Sequence, residues 1–239
     1  MKDVLNRAMA VVIGFCALTP GAWAQTRSQV YGGMLTQETQ TVFVRSDVGI
    51  ETLDSQSAAS KDTTSAVQSS IGGWAGEERL VGINFTNADL VVPFALNGSR
   101  SHTAFRDVRM MARFGWLIPS VGVSMAEVDV SNAGAPIVGL FGTGFNTGIA
   151  FEAPLAPFLV VHGESVVTEY ASVYDKLGQG SKLSRRIDAD INASFDVTQR
   201  MVDFLVGYRA RQYGLEVADK KYRERAQGAY VGLRLGIYF

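Results

Sequence analysis

The stretch Gly228-Ala229-Tyr230-Val231-Gly232-Leu233-Arg234-Leu235-Gly236-Ile237-Tyr238-Phe239 decides how the rest of the chain is read. Ala229, Val231, Leu233, Leu235, Ile237 and Phe239 are apolar, and Tyr230, Gly232, Arg234, Gly236 and Tyr238 stand between them. A period of two sustained this long means a β-strand with one greasy face and one polar or small face. The same pattern recurs upstream. In 200–213 one face holds Val202, Phe204, Val206, Tyr208 and Ala210, against Asp203, Gly207, Arg209 and Arg211. In 186–195 it holds Ile187, Ala189, Ile191, Ala193 and Phe195, against Arg186, Asp188, Asp190, Asn192 and Ser194. In 107–117 it holds Val108, Met110, Ala112, Phe114 and Trp116, against Asp107, Arg109, Arg113 and Gly115.

A soluble sandwich, with its apolar face turned to a core, produces the same alternation strand by strand. The start of the chain separates the two readings. Lys2 and Arg7 precede an apolar run from Ala8 to Leu18, a Pro20-Gly21 break and the small-x-small site Ala22-Trp23-Ala24. This reads as a secretory signal peptide cleaved after Ala24. The run is too short for a spanning helix, which needs about 20 apolar residues. The single cysteine, Cys16, lies in that leader, so the exported chain forms no internal disulfide. Gly is abundant (25) and Pro scarce (6), which suits strands and turns. A net charge of −1 carries no basic footprint of a nucleic-acid binder.

A terminal Phe239 after an alternating strand resembles the C-terminal signal of bacterial outer-membrane β-barrels, here Val231, Leu233, Leu235, Ile237 and Phe239. The resemblance is to a superfamily and to no particular family within it. It implies a transmembrane antiparallel up-and-down barrel in the outer membrane. It also implies contact with outer-membrane lipids and lipopolysaccharide, and passage through periplasmic chaperones and the barrel assembly machinery. Strands are expected over 41–52, 67–76, 79–88, 106–117, 120–130, 138–151, 158–171, 184–195, 200–213 and 227–239. That makes about ten strands, with eight as the alternative, because outer-membrane barrels of this kind have an even number. Residues 25–40 read as a periplasmic lead-in and 41–239 as the barrel. Short connections at 118–120, 152–157 and 196–199 alternate with longer polar ones at 131–136, 172–183 and 214–227. Trp116, Phe151, Phe158, Tyr238 and Phe239 are expected in an interfacial aromatic girdle.

The inward faces carry charge of both signs. Arg109, Arg113, Arg186, Arg209, Arg211 and Arg234 share the lumen with Asp107, Asp188, Asp190, Asp203 and Glu164. A barrel of this size has little room inside, and unpaired charges there are costly. Arginine–carboxylate pairs between neighbouring strands are therefore expected, forming a structural plug. The alternative is a narrow polar pore for small solutes or ions.

Little else in the sequence suggests chemistry. No HExxH or cysteine-based metal motif is present, and no cofactor is implied. Gly139–Gly148 (GLFGTGFNTG) lacks the lysine of a phosphate loop, and its inward Gly142, Gly144 and Gly148 are expected to make room for bulky neighbours. Outer-membrane lipid A deacylases place a His-x-Ser pair on one strand face. The corresponding stretch here is His162-Gly163-Glu164, without the serine. His162, Glu164 and Thr168 share a face, with Ser165 on the other. His102 is expected in an external loop with no fixed partner. The expectation is thus a structural or surface-interaction barrel and not an enzyme, with a narrow pore as the second reading and a lipid-modifying enzyme as the third; no metal site is expected, and oligomeric state is unassigned. The basic run Lys220-Lys221-Tyr222-Arg223-Glu224-Arg225 reads as an outer loop able to meet lipopolysaccharide phosphates.

Overall fold

The computed structural model describes residues 33–44, 49–52, 64–75, 80–94, 99–197, 202–217 and 220–238. Side chains are described for 68–75, 80–90, 101–197, 202–217, 221 and 223–234. The expected leader 1–24 and Phe239 lie outside these residues, as do the side chains of Leu235 and Ile237.

The described residues form β-strands joined by turns. They are β1 (Gly33–Val44), β2 (Gly49–Thr52), β3 (Thr64–Ala75), β4 (Val81–Phe94), β5 (Ser99–Ala112) and β6 (Leu117–Asn132). They continue with β7 (Ala135–Ala156), β8 (Leu159–Asp175), β9 (Lys182–Asp196), β10 (Val202–Val217) and β11 (Lys220–Tyr238). Every pairing is antiparallel, and from β3 to β11 each strand pairs with the next in sequence. β1 pairs with β3 on one side and β11 on the other, which makes the order cyclic. β11 meets β1 from Met34↔Tyr238 to Thr41↔Val231 and β2 from Gly49↔Arg225 to Thr52↔Tyr222. β1 and β2 are thus two parts of one stave, so the 11-stranded sheet forms a barrel of ten staves. Closure removes the unpaired edges that hydrocarbon would punish.

The alternation sets the two faces as the sequence pattern requires. Phe145 is 66% exposed on the outside, with Met110, Val121, Ile149, Ile191 and Leu233 also exposed. Arg186 is 0% exposed on the inside, and Asp107 and Arg109 are buried with it. Apolar out and charged in is the reverse of a soluble domain. A buried apolar cluster fills the lumen at the end remote from Gly33 and Tyr238. It comprises Phe105, Ala126, Val128, Val130, Val138, Leu140, Leu183, Tyr213 and Leu215.

Several boundaries differ from those expected. β1 begins at Gly33, inside the segment 25–40 read as a lead-in, because 33–40 pair with β3 and largely with β11 despite lacking a clean period. The first short turn is Arg113–Trp116, not 118–120. Gly115 takes φ 63° there, and Phe114 bridges to Leu117. Phe114 and Trp116 are therefore exposed turn residues, and Ile118, Pro119 and Ser120 belong to β6. The turn within 152–157 moves to Pro157-Phe158. The supposed long loop 131–136 is the two-residue turn Ala133-Gly134, with φ 47° and 84°. Positive φ at both positions matches the twist of a tight hairpin, and Gly134 accepts it without strain. The loop expected at 172–183 contracts to 176–181, and within 214–227 β10 runs on to Val217 and β11 begins at Lys220. His102 likewise lies in β5 rather than in a loop. The common cause is physical. Beyond the hydrocarbon belt the outward residues turn polar, so the apolar period disappears while backbone pairing continues.

Candidate functional site in the lumen

The charged layer starts from β9 and β10, whose short connection pairs them in register. Arg209 stands opposite Asp190 and Arg211 opposite Asp188. Arg209 Nη2 reaches Asp190 Oδ2 at 2.7 Å, and Arg211 Nε donates to Asp188 Oδ1. Asp203, at the start of β10, faces Arg234 of β11 at 3.6 Å. These pairs join neighbouring strands.

Other contacts cross the barrel. Arg186 Nη2 of β9 donates to Asp107 Oδ2 of β5 at 2.6 Å. Its Nε lies 2.8 Å from Asp188 Oδ2. β5 and β9 are separated by β6, β7 and β8, so this contact links nearly opposite walls. Arg109 of β5 pairs through both Nη atoms with Glu164 of β8. Arg113, beside the turn after β5, donates to Glu152 Oε2 of β7 at 2.8 Å. The expectation of pairs between adjacent strands was therefore too narrow, because long guanidinium side chains meet near the axis of a narrow barrel.

Aromatic rings brace these arginines. The guanidinium of Arg186 lies 4.5 Å from the Phe105 ring centroid and that of Arg211 4.8 Å. Arg209 stacks on Tyr230 and Arg113 on Trp74. Cation–π contact suits a guanidinium removed from water. The Tyr230 hydroxyl donates to Asp190 Oδ1 at 2.9 Å, and Asn192 Nδ2 donates to the same atom at 2.8 Å. Gly207 permits the arrangement, since a Cβ there would lie 2.6 Å from the Tyr230 ring. Gly142 similarly makes room for Leu183 and Tyr170.

Beyond Phe105 the character changes. Thr103 and Tyr213 share a hydroxyl hydrogen bond of 2.8 Å, and Ser101 donates to Glu224 Oε2 at 3.3 Å. Glu224 is 2% exposed. The sequence reading missed it, because Lys220–Arg225 looked like a basic loop. A signal was present: Lys221, Arg223, Arg225 and Gln227 alternate with Tyr222, Glu224, Ala226 and Gly228. That is the same strand carried further, with its cations outside and its carboxylate inside.

The histidines stand apart from hydroxyl nucleophiles in the described geometry. His162 Nδ1 lies 3.5 Å from Asn192 Nδ2, Glu164 is engaged by Arg109, and Ser165 is on the outer face. His102 is exposed, 3.8 Å from Asp89. Among the described residues no group of His, Cys, Asp and Glu is placed to hold a metal ion.

Among solved structures, the chain is similar to the outer membrane protease OmpT from Escherichia coli. The TM-score is 0.53 at 7% identity, covering 88% of this chain and 100% of that one. What the two share is the fold, an antiparallel up-and-down β-barrel. The CymD monoaromatic hydrocarbon channel also matches, with a TM-score of 0.40 at 9% identity, covering 91% of this chain and 92% of that one. At such identities the likeness is one of fold, not of activity. No family model and no curated protein matches the chain.

Proposed function

We propose that this protein is an exported outer-membrane barrel with a sealed lumen, serving a structural or surface-interaction role rather than conduction or catalysis. The observation that carries the reading is the Arg186–Asp107 contact between nearly opposite walls. A side chain spanning the axis blocks the path a solute would follow. Asp188 ties the same arginine to Arg211, and the apolar cluster from Val128 to Leu215 covers the network on one side. On this reading the leader is removed after Ala24. The chain then reaches the outer membrane through periplasmic chaperones and the barrel assembly machinery.

Planar-bilayer recording tests the seal. The purified barrel is expected to give no steady open-channel current. A steady current whose ion selectivity changes in an Asp107→Asn variant would show that these charges line a pore instead.

A further inference from the structure

In the charged layer Asp107, Glu164, Asp188 and Asp190 each meet a guanidinium. Glu224 does not. It is just as deeply buried, in the apolar half of the lumen, and no described lysine or arginine lies within ion-pair distance of it. Its partners are hydroxyls. Ser101 of β5 donates to Oε2 at 3.3 Å, Tyr213 of β10 also bonds the carboxyl, and Oε1 is buried with no partner among the described residues. Thr103 of β5 bonds the Tyr213 hydroxyl at 2.8 Å, and the Tyr213 ring packs edge-on against Phe105. These contacts tie β5 to the β10–β11 wall across the lumen.

The charged groups nearby face elsewhere. Arg223 and Arg225 alternate with Glu224 onto the outer face, and His102 is exposed on the outside of β5. Arg186 and Arg211 lie on the Phe105 ring and are held by Asp107 and Asp188. β2 sets Ile50 in register with Glu224, and β6, β7 and β9 present aliphatic side chains to this half of the lumen. The outward arginines beside Glu224 also place it beyond the apolar belt.

A carboxylate held there has neither counter-ion nor water, so burial favours its neutral form. Burial pushes the Glu224 carboxyl up to about 7, against the opposing bonds from Tyr213 and Ser101. Burial and the neighbouring Glu224 hold the Tyr213 phenol well above its ordinary value, so Tyr213 stays neutral where Glu224 titrates.

We propose that Glu224 is a proton-operated latch on the apolar end of the lumen. With the proton on, the neutral carboxyl keeps the β10–β11 wall docked against Ser101 and Thr103. With the proton gone, the uncompensated charge draws water in and the contact opens. Because the docked state raises the carboxyl, its contribution is full below the ordinary glutamate value and is lost as pH rises to about 7. The latch is separate from the arginine layer and does not rest on whether that layer seals the lumen.

Amide exchange of the purified full barrel in detergent tests the latch, read over 213–217 and 220–226. Wild type is compared with a Glu224→Gln variant, which mimics the neutral carboxyl, at about pH 5 and about pH 8; comparison at one pH cancels the intrinsic pH dependence of exchange. At the lower pH the two should exchange alike. At the higher pH wild type should exchange at least about tenfold faster, since each unit of pKa difference is tenfold in the opening equilibrium. A merely structural glutamate would instead give the same ratio at both. Ser101→Ala keeps the carboxyl and removes a donor that favours its charged form, so the pH at which exchange quickens should move upward. This second arm needs no Gln variant to fold. A wild-type to Gln ratio that is equal at the two pH values, or a Ser101→Ala transition that stays put or moves downward, would overturn the proposal. Bilayer conductance plays no part in the readout, so failure here is distinct from failure of the sealed-lumen reading.

Discussion

The two halves of the lumen are filled by opposite means. Toward the end that holds Gly33 and Tyr238, the space is taken by Arg109, Arg186, Arg209 and Arg211 with Asp107, Glu164, Asp188 and Asp190. Toward the other end it is taken by Val128, Val130, Val138, Leu140, Leu183 and Leu215. Phe105 lies at the seam, with two guanidiniums on its ring and Tyr213 edge-on at 5.4 Å. Apolar packing tolerates small changes and excludes water. An ion-pair layer holds its geometry more strictly, since any charge left without a partner there has neither water nor counter-ion. The dry cap also strengthens every electrostatic contact beneath it by lowering the local dielectric.

Breaking the charged half should have the largest effect. Asp188 serves both Arg186 and Arg211, so Asp188→Asn leaves two buried guanidiniums short of charge. Removing one partner of a buried pair costs on the order of 3–5 kcal/mol. Replacing Asp107, Arg186, Asp188 and Arg211 together with apolar residues of similar volume should cost clearly less than the single change. Urea unfolding in detergent measures both. If the single variant is as stable as wild type, the layer is not a lock.

Breaking the apolar half should cost less. Leu140 is 0% exposed within the cap. Leu140→Ala removes buried methyl groups and leaves a cavity, for a loss of about 3 kcal/mol. The ion pairs lie on other side chains, so this variant should remain as electrically silent as wild type in a bilayer. A variant that conducts would mean that the cap, and not the Arg186–Asp107 bridge, makes the seal.

This contrast explains which parts were legible in the sequence. In β9 and β10 the period of two assigned Arg186, Asp188 and Asp190 and then Asp203, Arg209 and Arg211 to the inside. The structure places all six there. A slip of one residue would have reversed either strand, so lipid contact fixes the pattern tightly. The contact of Arg186 with Asp107 was not legible, because it depends on how many staves lie between and how they stagger. The apolar cap was missed for a different reason. Val128, Val130, Val138 and Leu140 point inward, but the residues facing outward beside them include Glu127 and Asp129. That part of the strand therefore reads like a soluble one, and its turn at Ala133-Gly134 falls within a segment, 131–136, that reads as a longer polar loop.

The smallest effect is expected outside the lumen, where the same residue types meet water. Asp175 closes β8, and its carboxylate accepts from the backbone N–H groups of Leu177 (2.9 Å), Gln179 (2.8 Å) and Ser181 (2.9 Å). Desolvation pushes its pKa up, but these backbone donors outweigh it and hold the carboxyl below its ordinary range. The contribution to loop stability is therefore present above the ordinary carboxylate pKa and is lost as pH falls through the lowered value. Lys176 has the opposite sign: its bond to Glu127 raises its pKa, against desolvation and with help from Asp129. Its contribution is full below the ordinary lysine value and is lost as pH rises through the raised one. Exposed pairs are worth at most about 1 kcal/mol, so Lys176→Ala should move the unfolding midpoint far less than Asp188→Asn. Asp175→Ala should speed hydrogen exchange at Leu177, Gln179 and Ser181, relative to wild type, at neutral pH. The difference should shrink as pH is lowered and the wild-type carboxylate is protonated. If the difference persists undiminished into acid, the loop is held by something other than that charge, and the contrast between a locked interior and a lightly tied surface loses its outer term.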